Sequence, residues 1–174
     1  MSNDEKETAL DDSIAFQERI IPIYNELEKV AYLNISNKDN LYDAIQEALI
    51  IAFNNINSLR NPEYFKTWLI RILINECYKI NNKEKVYLNC NDNFIGNIAD
   101  KRNIDQEVLS DNSFIDALNY LDEKYKIIMY LFYGEELKIK EISKILDINE
   151  NTVKTRLSRG RNLLKEVYQK NMNE

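Results

Sequence analysis

Residues 138–165 read KIKEISKILDINENTVKTRLSRGRNLLK. Two short helical patterns flank a break at Asp147, Ile148 and Asn149. In the first, Ile139, Ile142, Ile145 and Leu146 supply an apolar face. In the second, Val153, Leu157 and Leu164 share one side, while Thr155, Ser158, Arg159 and Asn162 fall on the other. Residues 151–165 carry Lys154, Arg156, Arg159, Arg161 and Lys165 and no acidic residue. This is the pattern of a helix-turn-helix whose second helix suits a DNA major groove. Arginine and lysine meet phosphates and guanine edges, and small hydroxyls let the helix approach closely. A solvated amphipathic helix is the competing reading of the second pattern. The apolar face of the first helix favours a unit that packs as a pair.

The chain has 174 residues, enough for one domain or two small ones. No apolar run approaches a membrane span, and the acidic, polar N-terminus is no signal peptide. The two cysteines are Cys77, in an apolar helical run that predicts a buried thiol, and Cys90, in a polar stretch. They make neither a disulfide framework nor a zinc spacing, and they fit a reducing cytoplasm. Histidine is absent, which removes the commonest general base and a common metal ligand. The expectation is a non-enzyme with no catalytic residues, no cofactor and no metal.

The net charge of −6 is unusual for a DNA binder. Its distribution accounts for it. Residues 1–60 hold five basic and eleven acidic residues, whereas residues 137–174 hold nine basic and five acidic ones. Residues 61–85 are also net positive. The nucleic-acid footprint is therefore local. An acidic body disfavours nonspecific DNA binding and suggests a protein that meets DNA in company.

Only three glycines and two prolines punctuate the chain, and the pattern is helical throughout. Residues 1–11 read as disordered. Residues 16–33 form a helix with Phe16, Ile20, Ile23, Leu27, Val30 and Ala31 on its apolar face. A second helix covers 40–56, with Asp39 or Asn40 as N-cap. Pro62 sits where a first helical turn tolerates proline, and a third, strongly apolar helix runs to about Asn82. Residues 86–112 read as an acidic, flexible linker with a short helix near 105–109. Helices resume over 113–121 and 123–133, ahead of the helix-turn-helix. The fold expected is all-α: two small helical domains, 1–85 and 113–174, joined by the linker.

On the third helix, Phe65, Trp68, Leu69, Ile72 and Leu73 make a broad apolar surface. Thr67, Arg71, Asn75, Tyr78, Lys79 and Asn82 make a polar stripe at helical spacing. Cations, amides and an aromatic are the groups that hold single-stranded DNA, through phosphate pairing, base-edge hydrogen bonds and stacking. A solvated helix face is the competing reading.

The runs NLYDAIQEALIIAF and SLRNPEYFKTWLIRILINECYKI resemble the second conserved region of the extracytoplasmic-function (ECF) sigma factors, the fourth group of the sigma-70 family. Asp43, Gln46 and Glu47 match its acid-x-x-Gln-Glu core, and Phe65, Thr67, Trp68, Leu69, Arg71, Ile72 and Asn75 match the block that follows. The C-terminal run from Ala117 resembles the family's fourth region, whose T-V-K-[ST]-R-L-x-R-[AG]-R hallmark falls on residues 152–161. The two blocks, in this order, cover most of residues 16–168.

The resemblance implies an alternative sigma factor that binds RNA polymerase core and directs promoter recognition and transcription initiation. The sigma-two-like domain would bind the clamp helices of the beta-prime subunit through Asp43, Gln46 and Glu47, with Leu49 and Phe53 as apolar neighbours. An acid and amide face suits a basic coiled coil. Ser58, Arg60, Asn61, Lys66, Arg71, Asn75 and Lys79 would meet the melted minus-ten element, where a flipped base can enter a loop. In the sigma-four-like domain, Thr152, Lys154, Thr155, Ser158 and Arg159 would read the minus-thirty-five duplex, with Arg161 and Lys165 on phosphates and Arg156 structural. That domain would also meet the beta flap. The family further implies an anti-sigma factor, often membrane-anchored, that holds a cytoplasmic sigma factor at the inner face of the membrane without direct membrane insertion. The sequence is similar to the envelope-stress branch of low-GC Gram-positive bacteria.

Three departures from the family pattern stand out. Leu49 replaces the usual aromatic, Asp147 replaces a common turn glycine, and Lys138 replaces an N-cap serine, a loss of about 1 kcal/mol. Two other classes fit parts of the chain. A one-component regulator would bind duplex DNA through residues 137–165 and use its N-terminal half as a sensor. It would not need Asp43, Gln46, Glu47 or the face from Trp68 to Asn75. An adaptor or anti-activator would bind polymerase without reading DNA and would not need the positive run from Lys154 to Lys165.

Overall fold

Leu69, Ile70, Leu73, Ile74 and Cys77 recur at helical spacing and are all fully buried. The helix that carries them organises the first half of the molecule. The computed structural model describes residues 3–90 and 113–171. The described α-helices are α1 (Asn3–Ile20), α2 (Tyr24–Asn34), α3 (Lys38–Asn54), α4 (Phe65–Cys90), α5 (Ser113–Leu118), α6 (Glu123–Tyr133), α7 (Ile139–Leu146) and α8 (Glu150–Asn171). No strand occurs among the described residues.

α4 packs on α3 and α2, which pack on each other. α6 packs on α8, α7 and α5, and α7 on α8. The all-α expectation and its two helical groups hold. The groups also touch each other, α4 against α7 and α2 against α6. One apolar cluster runs through both, from Leu27, Val30 and Leu73 to Leu118, Ile128 and Leu131. None of the described helices is long and apolar enough to cross a membrane.

Several boundaries differ from the sequence reading, each for a local reason. The helix expected over 16–33 is broken by a 3₁₀ turn, Ile21–Ile23, because Pro22 lacks the N–H a continuous helix needs. Upstream, α1 reaches back to Asn3, into residues read as disordered. The cap of α3 is Asn37, not Asp39 or Asn40. Its side chain accepts from the backbone N–H groups of Asp39 at 2.8 Å and Asn40 at 3.4 Å. Pro62 opens a 3₁₀ turn, Pro62–Tyr64, and α4 then runs to Cys90, so it takes residues 86–90 from the expected linker. The short helix expected near 105–109 lies outside the described residues.

The helix-turn-helix follows the expected break. α7 ends at Leu146, and Asp147 takes the left-handed conformation at φ 52° and ψ 44°. Asn149 caps α8 by accepting from the Thr152 backbone N–H at 2.7 Å and its hydroxyl at 2.9 Å. Lys138 offers no capping oxygen to α7. Half of a capping box remains, because the Lys138 N–H donates to Glu141 Oε2 at 2.9 Å.

Candidate functional site

α8 is positioned by its apolar side. Val153 and Leu157 are buried, and Gly160 lies against Met129 and Tyr125 of α6. A helix held on that side turns the opposite one outward. Lys154, Thr155, Ser158, Arg159, Arg161 and Lys165 are all exposed. The Thr155 hydroxyl donates back to the Asn151 carbonyl at 2.8 Å, which fixes its rotamer. Thr152 is half-buried and serves the helix cap. Arg156 is half-buried beside Tyr78 of α4, as expected for a structural arginine. Burial raises the Tyr78 phenol above its ordinary pKa, and the Arg156 charge partly offsets this.

The stripe on α4 separates into exposed and committed residues. Ser58, Arg60, Arg71 and Asn75 are exposed. Asn61 is not simply a loop side chain: its Oδ1 accepts from the Glu63 N–H at 3.0 Å and so caps the turn that starts α4. Lys79 pairs with Glu76, one helical turn away, at 2.7 Å. Lys66 points away from the stripe's solvent side. Its ammonium lies 2.6 Å from Glu135 Oε2 in the other helical group. The sequence offered no signal for that pairing, since the two residues lie far apart in the chain.

On α3, Asp43, Gln46 and Glu47 are exposed together on one face, as their i, i+3, i+4 spacing requires. Leu49 is half-buried. Phe53 is partly exposed and meets Phe16 of α1 edge-to-face, with ring centroids 5.3 Å apart. Ile50, which the sequence reading passed over, continues the face and is 54% exposed. Its spacing from Asp43, Gln46 and Glu47 is the signal that could have found it. The face is thus acidic and amide-bearing at one end and apolar at the other. A partner with a basic ridge and an apolar contact would fit it.

The chain matches the model of "Sigma-70 region 2" over residues 23–85 and that of "Sigma-70, region 4" over residues 111–164. It is similar to the RNA polymerase sigma factor SigV of Bacillus subtilis, at 31% identity over 79% of this chain and 81% of the relative. It is equally similar, at 31%, to the ECF RNA polymerase sigma factor SigW of the same organism, over 92% of each chain. Its fold resembles that of the sigma factor RpoE, solved in complex with the anti-sigma factor NepR from Bartonella quintana. The TM-score is 0.69 at 24% identity, over 89% of this chain and 97% of the other. With both sigma regions matched in order and the two relatives aligned over 81% and 92% of their length, the chain belongs to the ECF family of RNA polymerase sigma factors.

Proposed function

We propose that this sigma factor binds polymerase core through the α3 face of Asp43, Gln46, Glu47, Ile50 and Phe53, against the beta-prime clamp helices. The helical group of α5 to α8 meets the beta flap. α4 and the preceding loop read the melted minus-ten element through Ser58, Arg60, Arg71 and Asn75. α8 reads the minus-thirty-five duplex through Lys154, Ser158 and Arg159. The chain itself performs no chemistry and needs no cofactor. Its domains are 1–85 and 113–174 with a linker at 86–112, which α4 enters at its N-terminal end. An anti-sigma factor restrains it, at the inner face of the membrane where that partner is anchored, and its regulon answers envelope stress. The fold neighbour solved with an anti-sigma factor supports a partner of this kind.

The observation that carries this reading is the exposure, on one chain, of an acidic face on α3 and a cationic face on α8. A regulator acting alone needs the second and not the first. Pull-down with polymerase core followed by run-off transcription tests it. The expected result is core binding and promoter-specific transcript. Duplex binding without core binding would replace this reading with the one-component regulator.

A further inference from the structure

Trp68, the only tryptophan of the chain, is half-buried on α4 with its ring tilted against Phe65 at 6.2 Å between centroids. It also lines a cleft where α4 packs on α7. Tyr64, Trp68 and Arg71 stand on the α4 side, and Lys138, Lys140 and Lys144 on the α7 side. The cleft holds about 450 Å³, within the range of pockets that enclose small molecules. Two aromatic side chains on one wall offer flat surfaces to a base, and stacking on them needs no particular sequence.

The charge of the cleft is unbalanced. Arg71, Lys138, Lys140 and Lys144 have no ion-pair partner among the described residues. Glu141 is the one carboxylate of the lining, and its Oε2 already accepts the Lys138 N–H at 2.9 Å. Lys138 is also the N-cap of α7 and offers no side-chain oxygen to the first N–H groups of that helix. The positive end of the α7 dipole therefore adds to the lysines. Like charges held this close repel one another, and an anion between them removes that cost. Four cations against one carboxylate leave a surplus that a di- or triphosphate group matches in size and sign. A single strand of DNA does not match it, since a strand brings only about one charge per nucleotide.

We propose that this cleft binds a free nucleoside diphosphate or triphosphate, its base against Trp68 and Tyr64 and its phosphates between Arg71 and the lysines of α7. Arg71 also belongs to the face assigned above to the melted minus-ten element, so a bound nucleotide and a promoter strand exclude each other at that residue. The exclusion rests on the reading of α4 as a DNA face, but the nucleotide site does not.

Trp68 is a built-in reporter for the test. The full chain is titrated with ATP in magnesium-free buffer and followed by tryptophan fluorescence and by calorimetry. Saturable quenching with a one-to-one stoichiometry is expected. Adenosine, tripolyphosphate and the dinucleotide TpT, which joins two bases through one phosphodiester, should each bind roughly tenfold or more weakly than ATP. Lys140→Ala and Lys144→Ala, both at exposed positions, should each weaken ATP about threefold or more. Lys124→Ala removes an exposed cation outside the cleft and should leave the affinity unchanged. Circular dichroism shows that each variant keeps its helices. Absence of saturable ATP binding, tripolyphosphate or TpT binding as tightly as ATP, or an equal loss in Lys124→Ala would overturn the proposal. The titrations need neither polymerase nor promoter, so a failure of the nucleotide site and a failure of the DNA-face reading are distinguishable.

Discussion

Gly160 of α8 approaches Met129 of α6 so closely that a β-carbon at position 160 would stand 3.0 Å from the methionine Sδ and Cγ. The small residue in the family hallmark is thus a packing requirement, one that aims the basic face of α8.

Gly160→Ala should be nearly neutral. It gains about 1 kcal/mol of helix propensity, against a small displacement of the Met129 side chain. Gly160→Leu should destabilise by about 1–3 kcal/mol through overpacking. Chemical denaturation of both variants checks this, and a Leu variant as stable as the parent would refute the close approach.

Charge reversal at Glu47 combined with Gln46→Ala should weaken core-polymerase binding and leave helicity unchanged, since both side chains are exposed on α3. Disrupting such a contact at an interface costs about 2–5 kcal/mol. Unchanged affinity in a core pull-down would remove α3 from the interface.

The free chain should bind promoter duplex poorly, because its net charge of −6 opposes phosphate approach. Core polymerase should confer specific binding. Tight binding of a single duplex site by the free protein at physiological salt, seen in a mobility-shift titration, would count against this.

Arg159→Ala and Lys154→Ala should reduce transcription in a manner that depends on the minus-thirty-five sequence, each contact contributing about 1–3 kcal/mol of discrimination. Asn75→Ala should impair promoter opening instead, and a pre-melted template should relieve only that defect. Permanganate footprinting on the two templates separates them. Equal rescue of all three variants would show that α4 and α8 do not divide the work in this way.

Cys77 should resist alkylation in the folded chain. Burial pushes its thiol up to about 12, outweighing a backbone hydrogen bond. The unfolded thiol ionises near pH ~8.5, so the folded pKa is the raised one. Its contribution to stability is complete below that pH and is lost as pH rises toward about 12. Cys77→Ala should therefore show a shallower loss of stability above pH ~8.5 than the parent, measured by denaturant melts across that range. Identical slopes would refute the buried-thiol account.

Much of this was legible in the sequence, and particular residues show why. The bounds of α6 and the turn at Asp147 follow from apolar periodicity and a local break, which are properties of short windows. The outward set on α8 follows from the burial of Val153 and Leu157. Where the reading failed, the cause was a side chain working on its neighbours or on a distant helix. Asn37 and Asn61 were available as caps, but several adjacent asparagines and aspartates compete for that role, and only backbone geometry chooses among them. Pro22 interrupts a periodicity that otherwise continues through it. Lys66 looked like one more cation beside a DNA-reading stripe. Its partner Glu135 is set by how two helical groups meet, which no window of sequence contains.

The left-handed Asp147 has a consequence for how this protein can change. An aspartate at φ 52° carries a steric penalty of about 1 kcal/mol that glycine escapes. Both aspartate codons are one base away from a glycine codon. A stabilising substitution therefore lies a single mutational step from this chain, in a turn on which no proposed partner contact depends. Such a step can offset a destabilising change elsewhere, in the exposed face of α8 for instance, and so widen the range of substitutions the lineage can explore there without losing its fold.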